Sequence, residues 1–255
     1  MPHRAGEAFV LDTISAQERD KIVTLFTECE GKLRGIAHGA ARSVRRFGGR
    51  LERLSKVRVG YFEKEGRDLV RIEDLDLLQE SFELQADLRN GAALAYVCEM
   101  TGEFTREKES DRRYYRLLAA TLDGFRAGVE AEVLLRYFEF WTARLHGIFP
   151  ALDACDACGK MFGAEGARVE AAGGAALCQR CARPEQGRML RITQRGLTLI
   201  DGFRRLAPAA LKSVDHPRDA LREVEEAAQA SLVSFTGREF RSRGYLLQVL
   251  AERER

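Results

Sequence analysis

The chain has 255 residues, 45 % apolar and 31 % charged, with a net charge of +2; this is an ordinary globular composition with material for a core, enough for one large or two to three small domains, and it shows no internal repeat or low-complexity segment. No apolar run approaches the ~20 residues that span a bilayer, which excludes a helical membrane segment. The small net charge excludes a uniformly basic chain but covers an asymmetry: from Gly31 to Arg58 nine bases meet one acid, Glu52, and from Val59 to Asp87 nine acids meet three bases.

The first eighty residues read as strands. Glu7–Ile14 is β-rich, and Lys21–Thr27 alternates around Val23 and Leu25. Gly31 punctuates a hairpin into Lys32–Ala37. The Gly- and Arg-rich stretch from His38 to Arg50 has no periodicity and reads as a long loop. Val57–Phe62 and Leu69–Ile72 are the next strands, joined by the turn Glu65-Gly66-Arg67-Asp68. Five short strands with a long loop after the third fit a small closed barrel, for which an oligonucleotide-binding (OB) barrel is the natural candidate. Such barrels grip single strands in a basic groove, with some aromatic stacking.

From about Leu84 the period becomes helical. Leu84–Phe104 and Tyr114–Phe125 carry apolar residues at three- and four-residue spacing. Glu130–His146 is the clearest helix: Leu134, Tyr137, Phe138, Trp141, Leu145 and Ile148 form a stripe that reads as core, and Gly147 sits where a helix stop belongs. Helices resume from about Gln186 to Leu211, from Arg218 to Phe235 and from Ser242 onward, with Pro208 and Pro217 at the breaks.

Between these helical parts stand Cys155-Asp-Ala-Cys158 and Cys178-Gln-Arg-Cys181, with nineteen residues between the pairs. Two thiolates three positions apart on a tight knuckle converge on one point, and a second knuckle completes a tetrahedron, which is what a structural zinc requires. Gly159 follows the first knuckle, where a turn often needs positive φ. Two disulfides, redox chemistry or an iron–sulfur cluster are the alternatives. The chain starts without a hydrophobic signal segment and its other cysteines, Cys29 and Cys98, stand far apart. That favours a reducing compartment, where such pairs bind metal. Four protein ligands make a closed, structural Zn2+ site. The quartet lies in neutral surroundings, about a hundred residues from the basic block, so it reads as a scaffold element of the helical region.

No catalytic constellation emerges. Phosphate-cradling, dinucleotide, HExxH and GxSxG signatures are absent. His3, His38, His146 and His216 are scattered, and no carboxylates pair for acid–base work. The expectation is a protein that is not an enzyme.

Several segments carry a family resemblance. Glu7-Ala-Phe-Val-Leu11 resembles a first strand. Thr24-Leu-Phe-Thr27, followed by Gly31-Lys-Leu-Arg-Gly-Ile-Ala-His-Gly39-Ala-Ala-Arg42, resembles a TxxxGxxxxxAxGAR segment with one alanine extra. Leu135-Arg-Tyr-Phe-Glu139 resembles an LRxFE helix, closed by His146-Gly-Ile-Phe-Pro150. The two cysteine knuckles follow, and Gly237-Arg-Glu-Phe-Arg-Ser-Arg243 resembles a terminal basic motif. In this order, over essentially the whole chain, they resemble the RecO family of bacterial recombination mediators. Two departures stand out: the loop after Arg42 is rich in Arg and Gly rather than Lys and Ser, and Ile148-Phe149 replaces a tyrosine.

The resemblance implies an α+β protein: an OB-fold barrel over residues 1–80, then a helical domain over 81–154 and 184–255, with a four-cysteine zinc module at 155–183 inserted in it. It implies a non-enzymatic protein that binds single-stranded DNA, and duplex more weakly, and anneals complementary strands. It would help load recombinase onto coated DNA, with a ring-forming RecR-type partner and the acidic C-terminal tail of single-strand-binding protein. The expected location is cytoplasmic and nucleoid-associated, with no small-molecule substrate. The expected DNA contacts are Lys32, Arg34, His38, Arg42, Arg45, Arg46, Arg50 and Arg53. Lys32 and Arg34 share a strand face while Leu33 points into the barrel. Phe47 stacks on a base or plugs the core. The tail-recognition arginine of the LRxFE motif carries over to Arg136, which shares a helix face with Phe140 and Arg144; an internal ion pair is the alternative for Arg136. Arg238, Arg241 and Arg243 form a smaller basic cluster. Competing readings are a zinc-ribbon transcription regulator binding duplex DNA, against which the missing recognition helix counts, and a zinc hydrolase, which a closed four-thiolate site does not allow.

Overall fold

A computed structural model describes residues 3–16, 19–40, 47, 49–63, 66, 68–172, 174–183 and 187–251. Two compact units emerge: residues 1–116 with 240–255, and residues 117–239.

In the first unit five strands, β1 (His3–Ala16), β2 (Asp20–Thr27), β3 (Gly31–Ala37), β4 (Lys56–Phe62) and β5 (Val70–Gln79), close a barrel in the order β1-β2-β3-β5-β4. All neighbours are antiparallel except β3 and β5. This is the strand order of an OB barrel. Alternation explains it: Val23, Leu25, Leu33, Val57, Val59 and Ile72 point inward and are buried together. The parallel closure needs Gly35, because a Cβ there would lie 2.8 Å from Ile72 and 2.9 Å from Val70. Phe9 and Phe26 point outward, yet are buried, because Tyr114 and Tyr115 cover them with ring centroids 5.0–6.1 Å apart.

Among the described residues this unit also holds α1 (Phe82–Gln85), α2 (Leu88–Phe104), the first turn of α3 (Arg112–Arg126) and α7 (Arg241–Ala251). Asp87 caps α2 by accepting from the N–H groups of Arg89 and Asn90. Helix α7 packs on α2: Phe240 meets Tyr96 and Phe104, and Glu99 accepts from the backbone N–H groups of Arg241 and Ser242 at 3.0 and 2.8 Å. The helical residues that follow the barrel are therefore shared between the two units.

In the second unit α4 (Ala131–Leu145) packs against α6 (Arg218–Thr236). Helix α4 is buried on nearly every side, with Tyr137 and Phe140 against Phe203 of α5 (Gln194–Arg205) and Trp141 Nε1 donating to the Phe203 carbonyl at 3.0 Å. Gly147 follows it at φ +70°, the left-handed stop its position implies. The stretch expected to be helical from Gln186 is interrupted. A three-stranded sheet, β7-β6-β8, forms from β6 (Ala167–Glu170), β7 (Ala176–Leu177) and β8 (Met189–Ile192). Helix α5 begins only after Thr193, which caps it and is itself held by Glu223 of α6 at 2.8 and 2.9 Å.

Candidate nucleic-acid interface and metal centre

On the outer face of β2 and β3 the register pairs Phe26 with Lys32, Thr24 with Arg34, and Ile22 with Ile36. The first of these pairs is covered. Lys32 Nζ donates to the Gly102 carbonyl at 2.9 Å, and its backbone exchanges hydrogen bonds with Arg106 and Lys108. Lys32 and Arg34 do share a face, as alternation requires, but the face is covered at one end and open at the other. At the open end Arg34 is exposed, Ile22 and Ile36 are half-buried, and Arg71 of β5 stands beside Ile36 in an ion pair with Glu73 at 2.9 Å. Ile22, Ile36 and Arg71 escape a search for clustered cations because pairing, not sequence, brings them to Arg34.

The other expected DNA contacts are dispersed. His38 shares a hydrogen bond with Asp20 at 2.8 Å, and the Gly39 N–H donates to the same carboxylate at 2.9 Å. Those two contacts hold the Asp20 carboxyl below its ordinary value, the Gly39 N–H the larger cause. Arg50 donates to the Leu75 carbonyl at 2.9 Å, and Arg53 pairs with Asp12 at 3.0 Å. Phe47 is 3 % exposed in the barrel core, so it plugs the barrel and offers no ring to a base. Arg42, Arg45 and Arg46 lie outside the described residues.

The helix face expected to receive an acidic tail is closed. Arg136 is 3 % exposed, paired through Nε with Glu139 at 2.7 Å and through Nη1 with Glu225. Gln229 completes the network, donating to Glu139 at 2.7 Å. Phe140 is buried, and Arg144 donates to the Phe149 carbonyl at 3.0 Å. Arg136 thus makes the internal ion pair named as the alternative, and an incoming carboxylate would have to displace Glu225, the more exposed of the two acids. Of the terminal cluster, Arg238 is exposed at the end of the second unit, and Arg241 and Arg243 occupy the first turn of α7 in the first unit.

The four cysteines do come together. The Sγ atoms of Cys155, Cys158, Cys178 and Cys181 all lie within 4.8 Å of one another, and no disulfide joins them. A tetrahedron with ~2.3 Å metal–sulfur arms has sulfur–sulfur edges of about 3.8 Å, and Cys158 and Cys178 are 3.9 Å apart. The knuckles are built by short turns. Gly159 sits at φ +72°, as its place after the first knuckle implies, with its N–H on the Cys155 carbonyl, and Cys181 N–H returns to the Cys178 carbonyl. Asp156 accepts from the Ala176 N–H at 2.6 Å and ties one knuckle to the strand that leads into the other.

Backbone N–H groups aim at the sulfurs. The N–H of Cys178 is the largest cause bringing the Cys155 thiol down to about 6, against the effect of burial. Cys181 is pushed up to about 12 by hydrogen bonds to Cys178 and Cys158. Four converging thiols at metal–ligand spacing, with backbone N–H groups aimed at their sulfurs, are what a soft divalent cation takes on deprotonation. The donor set therefore fits a metal ion. Asp153, just before the first knuckle, makes a bidentate ion pair with Arg204 of α5 at 2.6 and 3.2 Å, which fastens the module to its helical unit.

Cys98 is buried, donates to the Leu11 carbonyl at 2.9 Å, and has its thiol pushed up to about 12 by burial. It is inert packing.

Two family models match the chain: Recombination protein O N terminal over residues 1–80 and Recombination protein O C terminal over residues 85–243. The chain is 34 % identical over 244 residues, 94 % of both chains, to DNA repair protein RecO of Anaeromyxobacter sp. strain K. It is 38 % identical over 157 residues to the protein of the same name from Koribacter versatilis, covering 62 % of this chain and 64 % of the other. It is 37 % identical over 177 residues to that of Geobacter sulfurreducens, covering 69 % and 72 %.

Proposed function

The chain belongs to the RecO family of DNA repair proteins, and on that premise we propose that it binds single-stranded DNA on the outer face of its barrel, anneals complementary strands, and acts without catalysis as a recombination mediator. The observation that carries this reading is the open end of the β2–β3 face, where Ile22 lies opposite Ile36 with Arg34 and Arg71 beside them. Half-buried aliphatic side chains give bases an apolar surface, and the guanidiniums neutralise phosphates. Arg42, Arg45 and Arg46, which come after β3 in sequence, add three cations to this reading. Neutralising two backbones removes the repulsion that keeps complementary strands apart, and releasing their counterions supplies affinity.

The partners in this reading are a ring-forming RecR-type protein and the acidic C-terminal tail of single-strand-binding protein. The metal is Zn2+, held by the four cysteines in a closed structural site. When bound it cross-links the two knuckles; the chain's own residues supply the turns, the hydrogen bonds to sulfur and the Asp153–Arg204 anchor.

A strand-annealing assay at several salt concentrations, with bare and coated DNA, tests the proposal. Annealing that is fast at low salt and collapses as salt rises is the expected result. Absence of single-strand binding at every salt concentration, or equal preference for duplex, would overturn it and favour a duplex-binding regulator.

A further inference from the structure

Residues 155–183 are close to neutral, with four bases and three acids, but the pairing of β6 with β8 adds positive charge beside them. In the antiparallel register of β6 and β8, Arg168 stands directly opposite Arg191. Ala167, Val169, Leu190 and Ile192 are buried on one face of the sheet; the arginines lie on the other, where Arg191 is exposed, Arg168 is half-buried, and Leu177, directly opposite Arg168, packs into the cysteine cluster. Directly paired side chains lie with Cβ atoms about 4.5–5.5 Å apart, and like charges there destabilise a sheet. Among the described residues neither arginine makes an ion pair. Glu170, the acid two positions from Arg168, is turned toward the 174–175 turn, where it accepts from the Ala175 N–H at 3.4 Å. Arg180 in the second knuckle and Arg188 before β8 are exposed and likewise without an ion pair among the described residues. Residues 167–191 hold five arginines against two acids.

A register that sets two arginines opposite each other, neither in an ion pair among the described residues, bears a cost that an anion would remove. The strand ladders already fix the two backbone positions, so binding has only side-chain freedom to remove. Guanidinium forks match phosphate oxygens, and a chain of phosphates satisfies two neighbouring forks at once. A single acidic peptide end would also want an apolar groove beside the cations. The neighbour across the sheet, Leu177, is buried in the module's own core and provides none.

We infer that the arginine-bearing edge of the β6–β8 pair is an additional phosphate-backbone contact for single-stranded DNA, made by Arg168 and Arg191 with Arg180 and Arg188 on the flanking segments. The inference rests on the reading that this chain binds single strands, and it assigns the cysteine module a binding role beside its structural one.

The test is fluorescence anisotropy of a labelled single-stranded oligonucleotide with the full chain, over a salt series, for R168E/R191E. Affinity at low salt should fall about tenfold or more, and the slope of log K against log salt should shrink by about 1–2. The melting temperature should hold or rise, because the repulsion changes hands without loss of packing. R168K/R191K should keep most of the slope. If charge reversal itself lowers the melting temperature, R168Q/R191Q carries the same readings. Wild-type affinity and slope in the double variant, alongside reduced binding by Arg34→Glu, would overturn this inference and leave the barrel reading standing. Failure of the unaltered chain to bind single strands would overturn the barrel reading first. Loss of binding to an acidic peptide with DNA binding intact would overturn the inference and give the pair to a protein partner.

Discussion

Arg136 and Glu139 stand one turn apart on α4 and form a double ion pair, Nε to Oε2 at 2.7 Å and Nη2 to Oε1 at 3.0 Å, with neither side chain more than 3 % exposed. Removing one partner leaves a buried charge uncompensated, which costs about 3–5 kcal/mol. Glu139→Ala and Arg136→Ala should each lower the urea-derived stability by that amount. The joint variant Arg136→Met with Glu139→Leu should recover most of it. Single variants within about 1 kcal/mol of the parent would show that the pair contributes little. Any loss of tail-peptide binding by Arg136→Ala has to be measured well below its own unfolding midpoint.

Lys32 and Arg34, two residues apart on one strand face, should separate in their effects. Arg34 is exposed and Lys32 Nζ is committed to the Gly102 carbonyl. Arg34→Glu should weaken single-strand binding several-fold at low salt and reduce the salt slope by about 1, with an unchanged melting temperature. Lys32→Met should lower stability by about 1 kcal/mol, the typical net worth of an intramolecular hydrogen bond, and leave the slope alone. Equal effects of the two on the slope would show that both reach phosphate.

Cys155→Ser or Cys178→Ser should remove the metal and destabilise the second unit. A site that forms only in the folded chain contributes its binding energy to folding. A loss of ~3 kcal/mol, or about 10 °C in the melting temperature, is expected for a unit of this size. A strong chelator should reproduce it, and a thiol reductant alone should not. Metal analysis should return one ion per chain. Sensitivity to the reductant with indifference to the chelator would point to disulfides instead.

Acid should loosen the Asp20 contact. The Gly39 N–H, and after it His38, hold the Asp20 carboxyl below the ordinary 3.8. A depressed folded value means the stabilisation is present above the unfolded value and is lost as pH falls through the folded one. Wild-type stability should therefore drop below about pH 4, and Asp20→Asn should flatten that part of the curve while losing stability at neutral pH. An unaltered acid limb in Asp20→Asn would show that the contact does not persist in solution.

The barrel was open to reading because alternation leaves a local record. Val23, Leu25 and Leu33 point inward two residues apart, and a one-residue slip would expose all of them. The cysteine cluster was equally open, since its spacing states its geometry. What could not be read is what tertiary pairing decides. Nothing local marks Glu225 or Gln229 as partners of Arg136, and nothing near Lys32 names the Gly102 carbonyl seventy residues away. Strand β8 is only four residues long and runs into a helix, so the helical period of α5 masks it, although Leu190, Arg191 and Ile192 do alternate.

The packing of α7 on α2 means that the barrel unit is encoded at both ends of the chain. A ribosome finishes all five strands early, but Tyr96 and Phe104 wait for Phe240, and Glu99 waits for the amides of Arg241 and Ser242, until more than a hundred residues of the other unit have been synthesised. The nascent barrel thus passes through a stage with its helical flank unsealed, and a chain cut after Glu239 would be held at that stage.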